Sequence, residues 1–214
     1  MQLLLVHGLG RTPLSLFGLS SALRRAGHHT RFFGYLPSFE SVPRILRRLT
    51  GVLRDFASSR RQVGLIGHSL GGLLLRMALA EVPELRAHHF VMLGTPNAPP
   101  RMARLAWRWF PPFRIFTRDC GRLLNSQHAF RVLPELQVPF TVIAGTAGLR
   151  GRFSPFGDDP NDGLVSVEEA RASGSEPVQL PVLHTLMMDA VVVRARILAI
   201  MSEDGFGPPT LPER

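Results

Sequence analysis

At 214 residues, 45% hydrophobic and 19% charged, the chain has the length of one domain and a composition that excludes intrinsic disorder. Its formal net charge of +9 is carried by arginine with no lysine at all, which suggests a coding bias more than a nucleic-acid surface; anionic partners, membrane headgroups included, are favoured, and no nucleic-acid binding is expected because the arginines are scattered and no binding motif is present. One cysteine, Cys120, excludes an internal disulfide, and no apolar run reaches the length of a transmembrane helix.

Residues 2–6 read as a buried strand, too short an apolar run for a signal peptide, and lead into His7-Gly8-Leu9-Gly10. A cytoplasmic location is therefore expected, with a membrane surface as the alternative place for so basic a chain. Leu14 to Ala26 reads as a helix, His28 to Phe33 as a strand, and Pro43 to Ser58 as a helix with proline near its first turn. Val63, Leu65 and Ile66 form a short apolar run. From Leu70 the period changes: Leu70, Leu73, Leu74 and Met77 fall at i, i+3, i+4 and i+7, the face of a packed helix. Phe90 to Leu93 and Phe140 to Ala144 read as strands, Val178 to Leu180 as a short last strand, and Leu186 to Met201 as a final helix. Residues 202–214, rich in proline and glycine, read as a flexible tail. Strands alternating with helices imply a parallel sheet covered on both faces, in one domain over 1–201.

Between the third strand and its helix stands Gly67-His68-Ser69-Leu70-Gly71, a match to G-x-S-x-G in its required strand-turn-helix context. Such a turn holds Ser69 in a strained conformation with its hydroxyl at the tip. Side chains at 67 and 71 would collide with neighbouring backbone, so glycine occupies both. The backbone N–H of Leu70 and the helix N-terminus then point at whatever Ser69 attacks. A serine hydroxyl needs a base, usually a histidine held by a carboxylate. There are eight histidines, and Asp158, Asp159 and Asp162 share the loop after the Phe140–Ala144 strand.

The His-Gly strand, the elbow, and a late Asp and late His resemble the α/β-hydrolase fold, and most of all small bacterial lipases and esterases. The resemblance covers nearly the whole chain. It implies a minimal version with about six parallel strands in the order 2-1-3-4-5-6, helices on both faces, and a site at the carboxyl ends of the strands. His7 and His68 then belong to the two glycine motifs as structural residues. His184, after the last strand, takes the family's place for the base. Asn161-Asp162-Gly163-Leu164-Val165 resembles the family's Asp-Gly-x-Val segment and implies Asp162 as the acid, with Asp159 as its rival. The order Ser69, Asp162, His184 is the order of the fold. By the same likeness Leu9 joins Leu70 in supplying backbone N–H groups to an oxyanion hole.

Residues 97–137 are inserted between two strands, and the resemblance implies a cap over the site. Met102, Leu105 and Trp109 recur at i, i+3 and i+7, beside Arg101, Arg104 and Arg108 on a neighbouring face. Pro111-Pro112 should end this helix, and a second should start at Asp119 and bury Leu123 and Leu124. Met102, Leu105 and Trp109 are the expected contacts of an acyl group, unless the basic, aromatic face meets an anionic membrane instead. The expected function is hydrolysis of apolar carboxylic esters through an acyl-enzyme on Ser69, with no cofactor and no metal. A thioesterase or acyltransferase with the same triad, and a non-catalytic basic module binding a membrane or a partner, are the alternatives.

Overall fold

The structure is a computed structural model describing residues 1–59 and 61–202. The expected tail therefore lies, beyond Ser202, outside the described residues. Six strands form one parallel sheet: β1 (Gln2–Val6), β2 (His29–Phe33), β3 (Val63–His68), β4 (Ala87–Leu93), β5 (Phe140–Gly145) and β6 (Val178–Leu180). Their spatial order is β2-β1-β3-β4-β5-β6, as expected from the family likeness. β1 and β3 pair from Gln2 opposite Val63 to Val6 opposite Gly67. The two glycine motifs that follow these strands therefore leave the sheet side by side.

The inner strands are apolar on both sides because both sides are covered. Leu4, Val6 and Leu65 point into a core made with α2 (Val42–Ala57) and α3 (Leu70–Leu79). Their neighbours Leu3, Leu5 and Ile66 point the other way, against α1 (Phe17–Arg25) and α8 (Val191–Ser202). On α2, Ile45, Leu49 and Leu53 are fully buried at spacings of four, and each contributes about 1.5–3 kcal/mol by leaving water.

Between β4 and β5 the chain builds the insertion from α4 (Arg101–Trp109), α5 (Pro111–Asn125) and α6 (Gln127–Arg131). Pro111-Pro112 does more than end α4: it opens α5, since proline at the first helical position loses no hydrogen bond and has its φ preset. α5 is broken at Arg118 (φ 44°, ψ −122°), so a helical stretch does resume at Asp119 and buries Leu123 and Leu124 as expected. The last helix starts later than its apolar pattern suggests. Residues 184–186 form a 3-10 turn, Met187 and Met188 are both buried, and α8 begins at Val191.

Candidate active site

The turn after β3 is shaped by what cannot fit beside it. A Cβ at Gly67 would strike the backbone of Gly72, and one at Gly71 would strike the carbonyl oxygens of Val6 and His7. With both positions bare, α3 starts hard against the ends of β1 and β3. Ser69 at the turn has φ 53° and ψ −125°, a conformation rare for a residue with a side chain. Its own N–H donates to Leu93 O at 2.8 Å, which ties the turn to β4.

His184 and Asp162 meet beside this turn, from loops after β6 and β5. His184 Nδ1–H donates to Asp162 Oδ2 at 2.7 Å, and both side chains are buried. The other carboxylate oxygen, Oδ1, accepts from Leu164 N–H (2.9 Å) and Val165 N–H (2.7 Å). The backbone is clamped as well, with His184 N–H donating to Asp162 O at 2.9 Å and Asp162 N–H to Val165 O at 3.0 Å. Gly163 has φ +96°, which lets the chain reverse directly after Asp162. Asp162 thus receives three donors on its carboxylate, which fix its orientation. Asp159, in contrast, is exposed and pairs with Arg101 at 3.4 Å.

Two further histidines brace the site. The backbone N–H of Tyr35 donates to His7 Nε2 (3.3 Å), which leaves Nδ1 to carry the proton and donate to Gly8 O (2.9 Å). The Tyr35 ring stacks on the imidazole with centroids 4.4 Å apart. His68 Nε2–H donates to the carbonyl of His184 at 3.0 Å and so holds the loop that carries that residue. Burial lowers the pKa of His7, and burial together with the nearby His184 places that of His68 well below its ordinary value.

Ser69, His184 and Leu9 line a cleft of about 410 Å³ with Met102, Ala106 and Phe113 of the insertion. Of the three expected cap contacts, the structure brings Met102 to the cleft and leaves out Leu105 and Trp109. Leu105 is 38% exposed and Trp109 70% exposed, and neither lines the cleft. The inner surface of α4 is made by Met102, Ala103 and Ala106, where small side chains let the helix approach closely. Leu9 stands in the turn after β1 and Leu70 opens α3 directly after Ser69, and no turn, loop or cap hydrogen bond among the described residues takes either N–H.

Two supporting residues are not singled out by the sequence reading. Asn161 is fully buried, donates to Leu149 O (3.0 Å) and Asp159 O (2.9 Å), and accepts from Gly163 N–H (2.9 Å). Glu169 accepts from Ser166 N–H (2.9 Å) and from Arg101 N–H (2.7 Å), joining the start of α4 to the loop of Asp162. An amide before a loop aspartate has no periodicity to mark it. The pair Ser166…Glu169 could have been read as a capping box, and it caps the short helix α7 (Val167–Ala170). Among the described residues no group of three or more His, Cys, Asp or Glu side chains is placed to hold a metal ion.

The family model described as the alpha/beta hydrolase family matches residues 3–205, and the chain belongs to that family. Its fold is similar to that of a Bacillus licheniformis lipase, BlEst2, with a TM-score of 0.72, 21% identity, and 92% of this chain and 91% of that one covered. It is also similar to a metagenome-derived lipolytic enzyme of the LipS and LipT study (TM-score 0.64, 15% identity, 94% of each chain). A thioesterase domain from the curacin biosynthetic pathway gives a TM-score of 0.59 at 14% identity over 94% of this chain and 91% of that domain. No curated protein matches the chain.

Proposed function

We propose that the protein is a serine hydrolase of apolar carboxylic esters. The observation that supports this most is the 2.7 Å contact of His184 Nδ1 with the buried Asp162, beside a cleft in which Ser69 is held at positive φ. In this reading Ser69 Oγ attacks the acyl carbon while His184 Nε2 takes its proton. Asp162 keeps the proton of Nδ1 in place and stabilises the imidazolium that forms. Negative charge gathers on the former carbonyl oxygen, and the N–H groups of Leu9 and Leu70 receive it; one such donor is worth ~3 kcal/mol to the transition state. As the tetrahedral intermediate collapses, His184 returns the proton to the departing alcohol. Water then repeats the sequence on the acyl-enzyme and releases the carboxylic acid.

The apolar lining by Met102, Ala106 and Phe113 suits an acyl chain better than a small charged group. The outward face of the insertion, basic and aromatic, is proposed to meet an anionic lipid surface. The proposal is tested with a chain-length series of chromogenic esters on wild type and Ser69→Ala, alongside labelling by a fluorophosphonate. Hydrolysis and labelling that both vanish in Ser69→Ala support it. Wild-type protein that neither hydrolyses any ester nor takes the label leaves only a binding module on a hydrolase fold. Thioester cleavage and acyl transfer would use the same residues, and product analysis with alcohol acceptors separates them from ester hydrolysis.

A further inference from the structure

Arg11 stands on the lining of the cleft. It is half-buried, and among the described residues no carboxylate lies within ion-pair distance of it. In a chain of net charge +9 an unpaired arginine is ordinary, so its place is what matters. Arg11 is the fourth residue of a tight turn closed by its N–H donating to Gly8 O at 3.3 Å. Gly10, the third residue, has φ +67°, which such a turn asks of glycine. Arg11 is therefore two residues from the Leu9 N–H. At its other end Nη2 donates to Thr185 O at 3.2 Å, the residue directly after His184. One side chain thus connects the loop of the proposed oxyanion donor to the loop of the base. That single bond to a carbonyl leaves most of the guanidinium fork unused.

The chemistry assigns a direction to this charge. The histidine that takes the serine proton gives it back to the leaving group, so the leaving group must lie beside His184. Thr185, and with it Arg11, borders that position. The cap side of the cleft offers Met102, Ala106, Phe113 and Leu124, which carry no charge and suit the acyl chain. We infer that Arg11 is an anion-binding subsite for the leaving group: the preferred substrate joins an apolar acyl chain to an alcohol or thiol that bears a phosphate or carboxylate. The inference rests on the ester-hydrolase reading. It adds to that reading which half of the substrate is charged.

The test compares matched pairs of substrates and reads ratios. Decanoyl glycerol phosphate is measured against decanoyl glycerol, and the decanoyl thioester of mercaptopropionate against that of its methyl ester; the two pairs distinguish a lipid-type phosphate from a thiol carboxylate. The ratio of kcat/KM for the anionic over the neutral member should fall roughly tenfold in Arg11→Gln, the worth of one charge-assisted hydrogen bond, and mostly survive in Arg11→Lys. Any general damage from losing the bond to Thr185 cancels in the ratio. A ratio that stays the same in wild type and Arg11→Gln for both pairs overturns the subsite. Binding gives a second reading that needs no turnover. In the Ser69→Ala protein, calorimetry should show decyl phosphate weakened roughly tenfold relative to decyl glucoside when Arg11 becomes Gln. If wild type cleaves no ester and resists fluorophosphonate, the hydrolase reading fails while this measurement still decides the subsite: an unchanged decyl phosphate affinity overturns it.

Discussion

Ser69 and Arg118 share one backbone conformation, φ 53° and ψ −125° at the first, φ 44° and ψ −122° at the second. Among the described residues they are the two non-glycine positions with positive φ. At Ser69 the conformation lifts a hydroxyl out of a tight turn. At Arg118 it breaks α5, and the break is clasped from outside: Arg118 Nη1 donates to Ser38 O (3.1 Å) while Ser38 Oγ donates to Phe116 O (2.6 Å).

That pairing reverses an ordinary rule of helices. In a regular helix Ala is favoured over Gly by about 1 kcal/mol. At position 118 the backbone favours Gly, since a side chain held at positive φ and strongly negative ψ costs about 1–3 kcal/mol. Arg118→Gly should therefore melt at a higher temperature than Arg118→Ala, both variants having lost the same bond to Ser38. Thermal unfolding followed by circular dichroism reads the order directly. Ala more stable than Gly would mean that α5 runs unbroken through this residue.

The proposed acid is the next test. Asp162→Asn should lower kcat by several orders of magnitude, because an amide facing His184 Nδ1 reverses the tautomer the base needs. Asp159→Asn should cost little beyond an exposed ion pair with Arg101, worth about 0–1 kcal/mol of stability. Ser69→Ala and His184→Ala should each be as severe as the double variant, since groups that act as a unit do not add. Steady-state turnover of one chromogenic ester across the set is sufficient. A larger loss at Asp159 than at Asp162 would move the acid to the other aspartate.

Much of this was open to a reader of the chain, and the exceptions share a cause. Strands buried on both faces leave continuous apolar runs, and the change of period at Leu70 marks where β3 becomes α3. The elbow glycines at 67 and 71 follow from the steric collision that the motif itself implies. The insertion was harder. Large residues recurring at 102, 105 and 109 suggested one inward face, yet α4 turns Met102, Ala103 and Ala106 to the cleft. Hydrophobic periodicity weighs Trp above Ala, whereas close approach of a helix selects the small side chain. Asn161 and Arg11 act through loop hydrogen bonds that need tertiary structure to form, so no local pattern announces them.

Buried histidines set an acid limit on stability. Burial lowers the pKa of His7, burial and the neighbouring His184 lower that of His68 further, and burial with the neighbouring His88 brings His89 down to about 4. Unfolded, each takes a proton near pH ~6.5; folded, each stays neutral to lower pH. Below ~6.5 the unfolded state binds more protons, so stability falls as the pH drops from there toward about 4 for His89, by at most ~1.4 kcal/mol per pH unit per histidine. Melting temperatures between about pH 7.5 and about pH 5 should decline, and His89→Gln should flatten the decline. A flat profile in wild type would show that these imidazoles charge without cost.

The outward face of the cap gives the last prediction. Residues 97–118 hold five arginines and no acid. Trp109, Phe110, Ile115 and Phe116 are exposed there, and the Arg108 guanidinium lies 4.9 Å from the centre of the Trp109 indole. Across the loop after β5 the pattern recurs, with Phe153 88% exposed and the Arg152 guanidinium 4.6 Å from its ring centre. Aromatic rings beside arginines suit the headgroup region of an anionic bilayer, where each basic residue contributes about 1 kcal/mol. Trp109→Ala should then reduce co-sedimentation with vesicles of mixed zwitterionic and anionic lipid, and Arg104→Gln with Arg108→Gln should reduce it about tenfold or more at low salt, with the difference shrinking as salt is added. Because Trp109 faces away from the cleft, the same variant should keep the wild-type preference for chain length among monomeric esters. A loss confined to long-chain esters, with vesicle binding intact, would place Trp109 against the acyl chain after all. No change in either assay would reduce this face to a solvated surface that merely happens to be basic.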